Sequence, residues 1–180
     1  AIFRYELYFL TFPDFLIKFY NGMSLEDIEK LRIKVEKDLN SRLFVPLAEE
    51  YRKEGMLDEA ISVLLDGLDR QPGYTSARVA LGRLYLEKDM INEARSEFEK
   101  VVSAIPDNLF AHKKLAEIYK DLRETDKAIT AYREIIKLNP LDEDAKTSLE
   151  NLENIAYGPA AETPGTPPAA GAEKAASQTE

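Results

Sequence analysis

The chain contains no cysteine and a single histidine, His112, among its 180 residues. Without cysteine it can form no disulfide framework and no thiolate site, and a lone histidine makes no convincing zinc site. No glycine-rich loop follows a strand pattern, so the sequence offers no phosphate cradle. Acidic pairs such as Glu49-Glu50 lie on predicted helix surfaces, where solvated charge is the ordinary explanation. We therefore predict a protein that is not an enzyme, uses no metal or cofactor, and packs the ring of His112 as a structural group.

The chain also has no long hydrophobic run. No stretch approaches the ~18–20 apolar residues that a membrane span requires, and the N-terminal segment lacks the pattern of a signal peptide. The net charge of −9 makes nucleic acid or an anionic membrane a poor general partner. A hydrophobic share of 44% with 32% charged residues suits one well-solvated domain with appendages.

A pattern does repeat every 34 residues through the middle of the chain, in blocks covering 41–74, 75–108 and 109–142. Six positions of the block hold the same kind of residue each time. At positions 7, 8, 11, 20, 24 and 32 they are Leu47, Leu81, Leu115; Ala48, Gly82, Ala116; Tyr51, Tyr85, Tyr119; Ala60, Ala94, Ala128; Leu64, Phe98, Tyr132; and Pro72, Pro106, Pro140. A period of this length predicts a two-helix unit that stacks into a solenoid.

The chemistry of these columns explains the prediction. Small residues at positions 8 and 20 let the two helices of a unit, A and B, approach closely, so we expect Ala94 to be buried at their crossing. Large residues at positions 7, 11 and 24 then fill the surrounding space. Proline at position 32 ends helix B, because it lacks an N–H and disfavours helical backbone at the preceding residue.

Residues 41–142 resemble three tetratricopeptide repeats, with the leucine, small residue and tyrosine of helix A and the alanine, large residue and proline of helix B. The resemblance implies an all-α, right-handed solenoid of three helix pairs that binds other proteins. Two columns depart from the family pattern. Position 27 holds Gly67, Val101 and Ile135 instead of alanine, and the turn at position 15 holds glycine only at Gly55. We expect slightly wider helix packing there.

Two helices are predicted to flank the repeats. Residues 24–40 form an N-terminal packing helix that opens with a capping box at Ser24 and has one apolar face. That face comprises Leu25, Ile28, Leu31, Val35 and Leu39. Residues 143–157 form a C-terminal capping helix, with an apolar face of Ala145, Leu149, Leu152 and Ile155. Residues 158–180, rich in proline, alanine and glycine, are predicted to be disordered.

Residues 1–23 differ from the rest, since eight of the seventeen aromatic residues lie within 1–22. Two interpretations remain open. Translation could begin naturally at Met23, in which case the upstream part is not native domain sequence. Alternatively, aromatics interleaved with charges suit an amphipathic anchor that lies on a membrane or on the open end of the solenoid.

The predicted binding surface is the concave groove, lined by positions 2, 5, 9 and 12 of each helix A, which share one helix face. In chain order these are Arg42, Val45, Glu49, Arg52, Ser76, Val79, Arg83, Leu86, Phe110, Lys113, Glu117 and Lys120. Five are basic and two acidic, which favours a peptide, extended or helical, with acidic residues around a hydrophobic anchor. The family's carboxylate clamp places Lys and Asn at positions 5 and 9 of its first repeat. Val45 and Glu49 argue against that mode, and Lys114 is its only partial match.

We predict a non-catalytic adapter or assembly scaffold in a bacterial-type cytoplasm. One alternative is a membrane-associated tether, anchored by the aromatic N-terminus, that serves a secretion or envelope machine. Another is a regulatory domain of a larger enzyme.

Overall fold

A computed structural model describes residues 25–158 of the chain. The predictions made for residues 1–23, for the Ser24 cap and for 159–180 lie outside this range. Within it the chain folds into α-helices and contains no strand, which confirms the all-α solenoid. The eight helices are α1 (Leu25–Lys37), α2 (Phe44–Lys53), α3 (Leu57–Arg70), α4 (Thr75–Glu87), α5 (Ile91–Ala104), α6 (Leu109–Asp121), α7 (Thr125–Leu138) and α8 (Glu143–Tyr157). None of the helices in 25–158 is long and apolar enough to cross a membrane.

The helices form three pairs, α2–α3, α4–α5 and α6–α7, which stack one after another between α1 and α8. Substantial contacts join consecutive helices, and α2 with α4 is the one further pair among the described residues. The second helix of each pair ends two residues before Pro72, Pro106 or Pro140. This confirms that the proline of each block terminates helix B.

The predicted columns form the core. Ala60, Ala94 and Ala128 are all 0% exposed, so each helix crossing leaves no space beyond a methyl group. The leucines of position 7 and the large residues of position 24 are likewise buried around these alanines. Buried residues make two adjoining clusters, one from α1 to α4 and one from α5 to α8.

The residue at position 27 packs differently in the first pair than in the other two pairs. In the first pair a Cβ built on Gly67 would lie 2.3 Å from the ring of Phe44, which is itself 0% exposed. The ring therefore fills the space that the family's alanine would occupy. In the other pairs Val101 and Ile135 are buried. The site is thus filled from the opposite helix in the first pair and by its own side chain in the other two, and the slightly wider helix packing expected there stays a prediction.

Position 15 takes the left-handed backbone conformation in all three turns between helix A and helix B. The φ angles are 75° at Gly55, 58° at Asp89 and 59° at Arg123. A non-glycine residue with positive φ is strained, although aspartate tolerates the region better than most residues. The turn geometry is thus kept even where glycine is absent.

The N-terminal helix packs on α2 through Ile28 and Val35, which are buried. It ends at Lys37, and Leu39, predicted to extend its apolar face, is 54% exposed. The reason is local: Asp38 accepts a hydrogen bond from the Asn40 N–H, which supports a turn over residues 38–41.

The C-terminal helix packs on α7 as a further helix A would. Ala145 and Leu152 are buried, but Ile155, predicted on the same face, is 77% exposed because it lies in the last turn beyond that contact. At the position of the small residues α8 carries Glu150, which is exposed. The surface on which another helix B would cross is therefore charged.

Candidate functional site

The candidate site is the face of α2, α4 and α6 that points away from the core. Twelve residues at positions 2, 5, 9 and 12 define it, and we call it the helix-A wall. Eleven lie on these helices, whereas Arg42, predicted on the first of them, lies in the turn before α2, because that helix begins only at Phe44. None of them is fully buried, although residues on the opposite face of the same helices are. Arg42, Ser76, Arg83, Phe110, Glu117 and Lys120 are exposed, and Val45, Glu49, Arg52, Val79, Leu86 and Lys113 are half-buried.

The apolar residues of the wall differ in their exposure to solvent. Val79 and Leu86 pack partly against the α5–α8 cluster, and Val45 packs against the α1–α4 cluster. Phe110 is 42% exposed although an apolar core lies beside it. Its ring meets the buried ring of Phe98 edge-on, with 6.1 Å between centroids. Phe110 is therefore a partly exposed apolar group supported by Phe98, and the ammonium group of Lys114 lies over its ring, 6.0 Å from the centroid.

The first ion-pair network of the wall joins α2 to α4. Arg52 donates to Glu49 at 2.6 Å and to Glu87 on α4 at 3.1 Å. The hydrogen bond from Arg52 holds the pKa of Glu49 below its usual range, against the opposing effect of burial. One arginine thus bridges two carboxylates, so the cluster of Glu49, Arg52 and Glu87 keeps a net negative charge.

A second pair joins α6 to the start of α8. The ammonium group of Lys113 lies 2.6 Å from a carboxylate oxygen of Asp142, whose other oxygen accepts the N–H of Ala145 as the helix cap. Lys113, followed by the Ala145 N–H, lowers the pKa of Asp142, and the same carboxylate raises the pKa of Lys113. Glu117, the other acidic residue of the wall, is paired with Lys114 at 2.8 Å.

Three basic residues of the wall form no ion pair, although Arg83 lies close enough to Glu49 to help lower the pKa of that carboxyl. Arg42, Arg83 and Lys120 make no ion pair and no side-chain hydrogen bond within residues 25–158. Arg42 instead lies over the ring of Tyr74, 5.1 Å from its centroid. With five basic and two acidic side chains, the twelve wall residues are net positive, and Arg42, Arg83 and Lys120 are their cations without an ion pair within residues 25–158. The sequence predicted five basic residues in the wall that a partner could contact. In the structure, Arg52 and Lys113 are held in ion pairs, which leaves three.

Sequence reasoning missed the residues that complete the wall from outside its four positions. Glu87 neutralises Arg52, Asp142 neutralises Lys113, and Tyr74 supports Arg42. Tyr74 and Asp142 occupy position 34 of the first and third blocks. Asn108, the cap of α6, occupies the same position in the second block. Reading that column as the start of the following helix would have identified Asp142 as a cap, although not as a partner of Lys113.

The single histidine has a structural contact. Its Nε2 atom lies 2.8 Å from the carbonyl oxygen of Pro106, and the ring is half-buried, as predicted. Arg78, at the same position of the second pair, donates to the carbonyl of Pro72 at 2.7 Å. Among residues 25–158 no group of three His, Cys, Asp or Glu side chains could hold a metal ion.

Two family models match this chain, both described as tetratricopeptide repeat, over residues 51–108 and 114–140. A curated relative, the anaphase-promoting complex subunit 7 of Arabidopsis thaliana, is 30% identical over 92 residues. That match covers 51% of this chain and 16% of the relative, so the chain spans about a sixth of that protein.

Solved structures share the fold. MamA superposes with a TM-score of 0.66 at 21% identity, over 76% of this chain and 87% of MamA. The first TPR of Spaghetti (RPAP3), bound to the HSP90 peptide SRMEEVD, gives a TM-score of 0.58 at 19% identity, over 66% of this chain and 94% of that one.

Proposed function

The chain is a tetratricopeptide-repeat protein, and from that premise we propose that it is a non-catalytic adapter or assembly scaffold that binds a peptide segment of a partner protein along the helix-A wall. A structural neighbour, the first TPR of Spaghetti (RPAP3), has a bound peptide, which supports a protein partner. The wall provides what a peptide surface needs, since apolar groups are exposed beside charges that have no internal partner.

The observation that carries the proposal is the net positive charge of the wall, with three cations that form no ion pair within residues 25–158, beside an exposed aromatic ring. Phe110 offers an apolar contact, while Arg42, Arg83 and Lys120 offer unpaired cations on a chain of net charge −9. We therefore propose a partner segment that carries acidic residues around a hydrophobic anchor. Complementary charge of this kind favours encounter and selects among partners.

The family's carboxylate clamp does not explain the site. Val45 and Glu49 stand where that clamp has Lys and Asn, and Glu49 is held by Arg52. Lys114, the partial match, is paired with Glu117. The proposal is accordingly an interaction with side chains of the partner, and not with its C-terminal carboxylate.

Affinity capture on the full chain tests the wall. The variant carries Phe110→Ala and Arg83→Glu, and the matched control carries Leu65→Ala and Lys37→Glu, an exposed leucine and an exposed, unpaired lysine elsewhere. We expect a partner, identified by mass spectrometry, that the parent and the control retain and the variant loses. A partner retained equally by all three proteins would place the site elsewhere.

With such a partner in hand, affinity should fall as salt rises, because exposed charges are screened beyond about 10 Å at ~0.1 M ionic strength. Phe110→Ala should weaken binding more than Lys120→Ala, since desolvated aromatic anchors dominate affinity and rim charges mainly change the association rate.

None of the observations on residues 25–158 favours the membrane-tether alternative. The cytoplasmic location stays a prediction from the sequence.

A further inference from the structure

The turn between α1 and α2 collects cations that have no partner in the described part of the chain. In or beside this turn, the basic residues that form no ion pair within residues 25–158 are Lys34, Lys37, Arg42 and Arg70. The unpaired basic residues in the rest of that range are Arg83, Lys120 and Arg123, which are spread over α4, α6 and the turn after α6. On a chain of net charge −9, the concentration of unpaired cations at one turn does not follow from composition.

Two leucines are exposed among these cations. Leu39 is 54% exposed, and Leu43, just before α2, is 36% exposed. Together the six side chains form a surface that we call the first-turn patch: Lys34, Lys37, Leu39, Arg42, Leu43 and Arg70. The patch shares only Arg42 with the helix-A wall. Exposed apolar side chains ringed by unpaired charge are typical of a surface that binds another protein.

The backbone of the turn is held in place by hydrogen bonds from the end of α3. The Nε atom of Arg70 donates to the carbonyl of Leu39 at 3.1 Å, and the side-chain amide of Gln71 donates to the carbonyl of Asn40 at 2.8 Å. Within the turn, the carboxylate of Asp38 accepts the N–H of Asn40 at 3.1 Å. The turn is therefore organised before a partner arrives, which lowers the ordering cost of binding.

Further contacts place Arg42 beside the same turn as Arg70. The guanidinium of Arg42 lies over the ring of Tyr74, 5.1 Å from its centroid. The Tyr74 N–H donates to the carbonyl of Gln71, the residue that follows Arg70. Stacking leaves the in-plane N–H donors of Arg42 available, and such a planar donor set matches a carboxylate in two-point contact.

The acidic residues near the patch leave it positive. Glu36 is bound by Arg32 at 2.7 Å. Asp38 and Asp69 are exposed and form no ion pair within residues 25–158. Four unpaired cations therefore face two unpaired carboxylates, and neither carboxylate is bound to one of the cations. A partner that brings carboxylates of its own complements this surface.

We propose that the first-turn patch is a second docking surface, for an acidic segment of a partner protein that carries two aliphatic side chains. The carboxylates of the segment pair with Lys37, Arg42 and Arg70, and its aliphatic side chains pack on Leu39 and Leu43. The patch lies at the N-terminal end of the stacked helices and in a turn between them. Its ligand is therefore bound independently of the helix-A wall.

A protein segment fits the patch better than a nucleic acid or an anionic membrane. Proteins that bind single-stranded nucleic acid stack its bases on aromatic side chains, whereas the ring of Tyr74 is already covered by Arg42. An anionic membrane is a broad negative surface, and it would also approach Asp66 and Asp69, exposed acidic residues of α3 without ion pairs within residues 25–158. A short segment that stays on the turn avoids that repulsion.

Synthetic twelve-residue peptides with both termini blocked test the patch on the full chain, by fluorescence anisotropy at low salt. The probe peptide holds four glutamates and two leucines among serine and glycine. In two control peptides, glutamine replaces each glutamate or serine replaces each leucine. We expect the probe to bind about tenfold more tightly than either control. In NMR spectra of the isotope-labelled chain, the probe should shift amide signals of residues 38–43 and 70–74.

Two matched variants locate the binding. Leu39→Ala, Lys37→Glu changes the patch, and Phe110→Ala, Arg83→Glu changes the wall by the same kinds of substitution and the same charge. Leu39 and Lys37 are exposed and form no ion pair or side-chain hydrogen bond within residues 25–158, so the patch variant should melt as the parent does. We expect the patch variant to bind the probe about tenfold more weakly, and the wall variant to bind it as the parent does.

Loss of the probe by the wall variant alone would overturn the patch and support the helix-A wall. Equal binding by the parent and both variants, or no binding by the parent, would overturn the patch and leave the proposed function to its own capture experiment. Phosphatidylserine vesicles and a single-stranded oligonucleotide are measured in parallel. If the patch variant loses either of these ligands and keeps the probe, the patch recognises lipid or nucleic acid, and the protein partner is overturned.

Discussion

The first and third helix pairs have the same backbone arrangement. The side chain that fills the space between the two helices comes from helix A in the first pair and from helix B in the third. In the first pair Phe44 enters the interior from helix A and meets Gly67 on helix B. In the third pair the equivalent of Phe44 is His112, which turns to the Pro106 carbonyl, and Ile135 on helix B is only 1% exposed. The difference teaches that positions 4 and 27 form one packing unit, in which the space between the helices is filled from helix A in one pair and from helix B in the other.

The largest expected effect on stability comes from placing the isoleucine of the third pair at position 27 of the first pair. Gly67→Ile should destabilise by about 3 kcal/mol or more, because the new side chain overlaps a ring that cannot move aside. Helix propensity alone predicts the opposite sign, since glycine is the poorer helix former. Urea unfolding monitored by circular dichroism measures the change in unfolding free energy.

The double variant Phe44→His, Gly67→Ile sharpens the same comparison. It recreates the third pair's combination, so it should recover at least about 1 kcal/mol relative to the sum of the two single changes. Additive losses would mean that the two positions do not share one space.

The next effect concerns a position at which the pairs do not differ. Ala94→Leu should destabilise by about 1–3 kcal/mol, because the alanine of position 20 is 0% exposed at the helix crossing. Ala156→Leu, on the exposed side of α8, is the matched control and should stay within about 0.5 kcal/mol of the parent. Equal melting temperatures for Ala94→Leu and the parent would show that the repeat register is wrong.

A smaller effect of opposite sign is expected in the turns. Arg123→Gly should stabilise by up to about 1 kcal/mol, because it removes the strain of a positive φ while adding some entropy to the unfolded chain. Asp89→Gly should gain less, since aspartate tolerates this conformation. Thermal unfolding of the two variants side by side gives the order, and a loss of stability in Arg123→Gly would contradict it.

The smallest effect is a change in pH dependence at Asp142, where the third pair meets α8. The folded-state pKa of Asp142 is lowered, so its stabilising contribution is complete above the ordinary carboxyl pKa of about 3.9 and is lost as pH falls through the folded value. Asp142→Asn keeps a side chain that can cap the helix but removes the charge. Melting temperatures from pH 7 to pH 3 should therefore fall less steeply for the variant, and parallel curves would contradict the assignment.

The repeat columns predicted most of the fold because each records a local requirement. Leu81 and Ala94 must be apolar and of fixed size wherever the unit is stacked, so period and chemistry together located the helices and their buried faces. The predicted burial of Leu39 and Ile155 was wrong. Both keep helical spacing at the end of an element, beyond the reach of the neighbouring helix.

The charges of the wall could not be assigned in the same way. Arg52 has a partner three residues earlier in Glu49, but its second partner, Glu87, is 35 residues away and reaches it only because successive A helices lie side by side. Lys113 depends likewise on the cap of the following helix. The sequence specified which residues face outward, and the stacking geometry decided which of them neutralise each other.

The nearly exclusive contact between consecutive helices makes the described part of the chain a set of links in series. A force applied to its two ends passes mainly through these successive interfaces, and the contact of α2 with α4 is the one substantial connection that bypasses a helix among the described residues. The load is therefore carried largely in series, and we expect extension to detach one helix at a time, beginning with α1 or α8, which have a neighbour on one side only. Such an arrangement yields gradually under tension and reassembles from contacts that are close along the chain.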